Sequence, residues 1–217
     1  MLKLKGVSFS YGKKRILSSF GFELGKGECL VLAGPNGSGK STALSLMAGV
    51  LRPERGSIQA DGKIGYVPQG TALFEDMSVG DNLSFFASLA GCKVPQSLTF
   101  GLDELRKVRV SKLSGGMQKL LSIACGMLGQ PDILLLDEPC AGLDVQHRVE
   151  LSAELLRFKS VGGSIVFVSH EPDEFFGIFD KLIFLGDCAE CFSRAQLCGD
   201  ADTLDELSRN FKLLFRE

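Results

Sequence analysis

Residues Gly34, Pro35, Asn36, Gly37, Ser38, Gly39, Lys40, Ser41 and Thr42 form a run with three glycines, a lysine and four small polar side chains. Such a run packs no core. Glycine lets the backbone curl until successive N–H groups point inward and form an anion cradle. The spacing G-x-x-x-x-G-K-[ST] sets an ammonium (Lys40) and a hydroxyl (Ser41) beside that cradle. The first can reach the β- and γ-phosphates of a nucleoside triphosphate, and the second can ligate Mg2+. A helix predicted to start at Lys40 would add the partial positive charge of its N-terminus. Two carboxylates, Asp137 and Glu138, close the apolar run "ILLLDEP". Asp137 suits the shell of a Mg2+ ion, and Glu138 suits polarising a water for in-line attack on the γ-phosphate. Ser114, Gly115 and Gly116 open a further predicted helix, "SGGMQKLLSIA". That start reads equally as a second phosphate-ready helix N-terminus or as an ordinary serine cap.

These groups need rigid carriers. Strands are predicted over residues 2–9, 16–24 and 27–34, over "IGYVPQ", "ILLLDEP", "SIVFVSH" and "KLIFL". Helices are predicted over 40–51, from Ser78 as N-cap through "VGDNLSFFASLAG", over 114–128, 145–159 and 172–179. Strands alternating with helices predict an α/β fold with a mostly parallel sheet, whose strand ends carry the ligand site. Residues 92–112 are polar and weakly patterned. In the tail, Leu204, Leu207, Phe211, Leu214 and Phe215 fall at helical spacing, predicting an amphipathic helix packed on this domain or on a partner.

Length and composition bound the rest. The 217 residues suit one domain with a lobe. A net charge of -2 gives no general attraction to nucleic acid. No apolar run approaches the roughly 20 residues that span a bilayer. "MLKLKGVSFSYGKKR" lacks a secretory apolar stretch, so the chain is expected in the cytosol with its seven scattered cysteines reduced. Cys188 and Cys191 form a C-x-x-C with Cys198 nearby, but no second ligand pair accompanies them and both histidines lie upstream. His147 is expected on a polar helix face, merely solvated.

The order of these motifs resembles that of the nucleotide-binding subunits of ATP-binding cassette (ABC) transporters, over residues 2–186. "GPNGSGKST" matches the phosphate loop of that family and "LSGGMQ" its signature sequence. The resemblance implies a P-loop NTPase core with a mostly parallel sheet flanked by helices. It adds an antiparallel β subdomain at the N-terminal side and a small helical lobe. The expected layout is one domain with its core at 1–75 and 129–190, the lobe at 76–128 and a helical tail at 191–217. By resemblance, Tyr11 in "FSYGKKRIL" stacks on adenine. Gln69 in "YVPQ" contacts Mg2+ and water and senses the membrane partner. Asp144 in "AGLD" sits on a loop crossing a dimer interface, and His170 in "FVSH" hydrogen-bonds the γ-phosphate. The implied cofactors are ATP and Mg2+. The implied partners are a transmembrane permease and a second copy, or a homologous ATPase, arranged head to tail at the cytoplasmic face of the membrane. No nucleic-acid partner is expected. The other reading, a non-transport ABC-type ATPase acting on nucleic acid or ribosomes, would call for coiled-coil insertions, zinc modules or a second cassette. Export is the expected direction because the segment between Gln69 and Ser114 is compact, while cargo specificity belongs to the membrane subunit. Cys140 stands where the family often has threonine or serine, and Gly80 is expected to loosen the helix that it opens.

Overall fold

The computed structural model describes residues 1–70, 72–186 and 188–215. Its centre is a six-stranded sheet in the order β5 (Ile64–Val67), β6 (Ile133–Asp137), β7 (Ser164–Val168), β3 (Cys29–Ala33), β8 (Lys181–Leu185), β9 (Ala189–Ser193). The first five run parallel, and β9 pairs antiparallel at the edge. Strands β3, β6 and β7 are buried throughout, which is why their sequences are near-continuous apolar runs. Alternation along each strand divides the core in two. Val31, Leu134, Leu136, Ile165 and Phe167 face one layer, and Leu30, Leu32, Ile133, Leu135, Val166 and Val168 face the other. Each of these side chains contributes about 1.5–3 kcal/mol by leaving water.

The second layer holds α1 (Lys40–Met47) and a three-stranded antiparallel sheet ordered β2 (Lys14–Leu24), β1 (Leu2–Tyr11), β4 (Arg55–Ala60). This is the expected N-terminal β subdomain. Strand β4 has no counterpart among the predicted elements; "RGSIQA" is an edge strand that half-buries only Ile58 and Ala60. On the other layer lie α3 (Gly115–Met127), α4 (Val145–Ser160) and the lobe helix α2 (Val79–Leu89).

Helix α2 starts where predicted. Ser78 accepts from the Asp81 N–H and Asp81 reaches back to the Ser78 N–H, closing a capping box. Gly80 does not loosen this turn. Its N–H donates to the Arg106 carbonyl at 2.9 Å, and a Cβ there would lie 3.0 Å from that oxygen. Glycine lets the two segments touch. Residues 92–109 follow as turns, ending in a short 3-10 segment at Val110–Lys112.

Two tail predictions change. Helix α5 is a single turn, Pro172–Phe175, rather than reaching 179. Residues 191–193, expected in the helical tail, complete β9 by pairing with β8. After them come α6 (Arg194–Cys198) and α7 (Leu204–Leu213). Leu207 and Phe211 of α7 are buried on this same domain, with Phe211 5.8 Å from Phe175 between ring centres. Cys191 is exposed on β9 and Cys198 is buried on α6, while Cys188 is exposed before β9. No helix among the described residues is long and apolar enough to cross a membrane.

Candidate nucleotide site

Four neighbouring strands deliver the site. In sheet order, β5 leads into Gln69, β6 ends at Asp137 and Glu138, β7 leads into His170, and β3 leads into the loop 34–39. Parallel strands put all four exits at one edge, where open α/β sheets bind ligands.

The loop has the backbone that its glycines allow. Gly34 has φ 140°, and a Cβ there would sit 2.4 Å from the Leu185 carbonyl oxygen. Gly39, φ 103°, caps α1, and a Cβ would press within 2.8 Å of Ile16 Cγ2. Pro35, Asn36 and Gly37 are exposed at the rim, and the Ser38 hydroxyl is buried without a partner. Lys40 is buried and folds back over the loop, Nζ donating to the carbonyls of Gly34 and Pro35 at 2.9 Å each. Burial lowers its pKa, opposed by the nearby charges of Glu138 and Asp137. Ser41 and Thr42 form the first turn of α1.

Asp137 is buried, and its Oδ1 has no hydrogen-bond partner. Burial pushes its pKa up; the neighbouring Ser41 hydroxyl pulls it down, and Glu138 raises it again. A buried, half-satisfied carboxylate beside a hydroxyl at a phosphate loop is a donor set that fits a hard divalent cation. Glu138 takes φ 48°, a left-handed conformation that costs a non-glycine residue about 1–3 kcal/mol. Its carboxylate accepts from Gln69 Nε2 at 2.8 Å, and its other oxygen lies 3.5 Å from His170 Nε2. That separation is long for a hydrogen bond, and the buried Nε2 has no other partner. The sheet thus gathers Gln69, Glu138 and His170, which lie far apart in sequence.

Ser114 caps α3, its Oγ accepting from the Met117 N–H at 3.1 Å. Gly116 packs on the next loop: a Cβ would lie 3.1 Å from the Gly142 carbonyl oxygen. Ser114, Gly115 and Gly116 line a cleft of about 430 Å³ together with Gln69, Asp144 and His147, and no residue of the phosphate loop lines it. Asp144 caps α4, accepting from the His147 N–H at 2.9 Å. His147 is therefore more than solvated, because its ring Nδ1 also lies 2.9 Å from Asp144 Oδ2. The hydrogen bond from the His147 N–H is the main cause holding the Asp144 carboxyl below the usual range. Tyr11 ends β1 exposed, its ring edge-on to Phe9 at 5.0 Å. Cys140 keeps a small, buried side chain behind Glu138, its thiol pushed by burial to about 12.

Two residues went unread in the sequence. Lys119 is buried on α3 and donates to the carbonyls of Pro68, Gln69 and Asp137. Asn82 is fully buried and exchanges hydrogen bonds with both backbone groups of Phe74. Helical spacing carried a signal for Lys119: it stands three residues after Gly116 and four before Ile123, on the buried stripe.

Residues 17–141 match the family model described as ABC transporter. The chain belongs to the ABC transporter family of ATPases. Among its curated relatives is a linearmycin resistance ATP-binding protein of Bacillus subtilis, 30% identical over 96% of this chain and 75% of the relative. A molybdate/tungstate import ATP-binding protein of Pyrococcus horikoshii is 32% identical over 96% of this chain and 64% of its own length. A solved ATP-binding subunit of an ABC transporter superposes with TM-score 0.82 over 98% of this chain and 99% of that one; at 24% identity it shows the fold. This ABC chain is an ATP-binding and ATP-hydrolysing subunit that serves transport. Its phosphate loop and acidic pair lie within the matched segment, and His170 lies beyond it.

Proposed function

We propose that this subunit hydrolyses ATP with Glu138 as general base and drives a separate membrane permease through the loop that begins at Gln69. The observation that carries this reading is the placement of Gln69, Glu138 and His170 at adjacent strand ends beside the phosphate loop. Lys40 exchanges the carbonyls of Gly34 and Pro35 for β- and γ-phosphate oxygens. The N–H groups of residues 34–42 surround the phosphates, and Tyr11 offers its exposed face to adenine. Ser41, Asp137 and Gln69 would hold a Mg2+ ion, which when bound would supply charge neutralisation for the phosphates. Glu138 orients a water and accepts its proton, and His170 Nε2 donates toward the γ-phosphate.

The signature segment completes a second chain's site. Ser114–Gly116 and Asp144 share a cleft that excludes their own phosphate loop, so they are free to meet nucleotide held elsewhere. A second copy, or a homologous ATPase, arranged head to tail brings each α3 N-terminus to the other's γ-phosphate.

The permease reads this site through Gln69 and Phe74. Gln69 touches Glu138 at one end, and at the other Phe74 is pinned by Asn82. Phe74 and Phe85 stack edge to face at 4.8 Å and stay exposed with Leu89, an aromatic patch suited to an apolar helix end of a membrane subunit. The subunit then works as a peripheral protein on the cytoplasmic face of the membrane. We read the direction as export, on the compact lobe between Gln69 and Ser114.

Gln69→Ala tests the coupling. ATP affinity of the isolated chain is expected to stay within about twofold, since the phosphate cradle is untouched. Stimulation of hydrolysis by the reconstituted permease is expected to fall by about tenfold or more, because the Glu138 partner is lost. Unchanged stimulation and unchanged transport would reject the role of Gln69. Phe85→Ser is expected to weaken co-purification with the permease while leaving basal hydrolysis as it was; undiminished co-purification would remove the aromatic patch from the interface.

A further inference from the structure

We infer that Lys119 is a positioning residue that clasps the ends of β5 and β6 so that Gln69 can orient Glu138, an inference that rests on Glu138 being the base. The two strands pair in register up to Val67 and Leu136. Beyond that point the next residue on β5's side is Pro68, which has no N–H to extend the ladder. On the other side Glu138 turns into its left-handed conformation. Without a further tie the exit of β5 would be free to splay from β6, whose own end is held to β7 by the Glu138 N–H on the Val168 carbonyl.

Lys119 takes over at this place. Its side chain comes from α3, below the sheet edge, and is almost wholly removed from solvent. Its Nζ lies 3.3 Å from the Pro68 carbonyl, 3.0 Å from that of Gln69 and 3.2 Å from that of Asp137. An ammonium has three donors and no acceptor, so three carbonyls satisfy it. A buried charge without them would cost several kcal/mol. Two of the acceptors lie on the exit of β5 and the third on the end of β6, so one cation ties both. A closed ring results: Lys119 to the Gln69 carbonyl, Gln69 Nε2 to the Glu138 carboxylate, and Glu138 through its peptide bond to the Asp137 carbonyl and back to Lys119.

The clasp also joins two parts of the molecule. Lys119 is five residues past Ser114, about 7.5 Å along the helix. The end of α3 that faces a second chain is therefore rigidly tied to the base of its own chain. The phosphate loop lies on β3, separated from β6 by β7, and takes no part in the ring.

Lys119→Met keeps most of the length and an apolar stem but removes every donor. Its kcat for ATP is expected to fall by about ten- to a hundredfold, the usual result of misplacing a catalytic group by an ångström. Its affinity for a fluorescent ATP analogue should stay within about twofold of the parent. Lys119→Arg keeps donors and charge and is expected to recover most of kcat; a role in filling space alone would favour Met over the bulkier Arg. Should Lys119→Met not fold, Lys119→Gln, which keeps two donors on a shorter arm, is read by the same criteria. Normal kcat in a folded Met or Gln variant, an equal loss of kcat and affinity, or no recovery in Arg would each overturn the proposal. Glu138→Gln measured alongside separates the two ideas: if it is inactive while Lys119→Met is fully active, only the clasp fails, whereas an active Glu138→Gln removes the base itself.

Discussion

Glu138→Gln should bind ATP as the parent does, hydrolyse it about 10²–10⁴-fold more slowly, and accumulate as an ATP-bound dimer. The substitution is nearly isosteric. The amide keeps a carbonyl oxygen to accept from Gln69 Nε2, so the contact at 2.8 Å and the left-handed backbone at this position can both survive. What is lost is the negative charge that orients the attacking water and takes its proton. The phosphate loop keeps its own hydrogen bonds, because Lys40 donates to the Gly34 and Pro35 carbonyls and not to Glu138. Binding and dimer closure therefore persist while the step that opens the dimer stalls. Size-exclusion chromatography with ATP and phosphate release on the same sample check both halves. Turnover near that of the parent would reject Glu138 as the base.

The second large effect tests whether the site is built from two chains. Lys40→Ala removes the ammonium that reaches the phosphates, and it releases the carbonyls of Gly34, which is buried, and of Pro35, which is exposed. Gly115→Asp places a carboxylate on the start of α3. Nothing lies within 4 Å of a Cβ at that position, and its φ is not in the left-handed region, so the chain itself tolerates the change. In the proposed head-to-tail arrangement the damage would fall outward, on the γ-phosphate of another chain, where like charges repel. Each variant alone should be inactive, since both sites of its homodimer carry a defect. In the mixture, one site collects both defects. The other pairs the intact phosphate loop of the Gly115→Asp chain with the intact signature segment of the Lys40→Ala chain. ATP-dependent dimerisation should return on mixing, with up to about half the parent hydrolysis if one working site suffices. A site contained in one chain predicts no recovery. Failure of both assays, with subunit exchange demonstrated by differently tagged chains, would count against the head-to-tail arrangement.

Much of this was legible because the chemistry is local in sequence. The glycines of 34–39 encode a cradle wherever they occur, since only residues without a Cβ can approach the Leu185 carbonyl and Ile16 as Gly34 and Gly39 do. The apolar runs of β3, β6 and β7 announce strands covered on both faces. The capping serines at 78 and 114 mark helix starts by the same short-range hydrogen bonds seen in the structure. Edge elements were harder. Strands β4 and β9 bury too little apolar surface to leave a periodic pattern, and they form because a neighbouring strand offers unpaired N–H and C=O groups. Gly80 misled for a related reason: its partner is Arg106, twenty-six positions on, and propensity cannot see a close approach.

By itself, then, the amino-acid sequence offered the phosphate loop, the acidic pair and the helix start at Ser114 as groups that can act, and the family resemblance added Gln69 and His170. Their types and short spacings are properties of a few consecutive residues. Only the tertiary structure decided how they meet. The strand order β5-β6-β7-β3 brings both Gln69 and His170 to Glu138, and that order depends on where each crossover helix packs. It also decided that Ser114–Gly116 share a cleft with Asp144 and not with their own phosphate loop, and that one buried lysine on α3 bonds the exits of both β5 and β6. A hydrogen bond between residues dozens of positions apart is set by the packing that brings them together, and no short stretch of the chain contains that information.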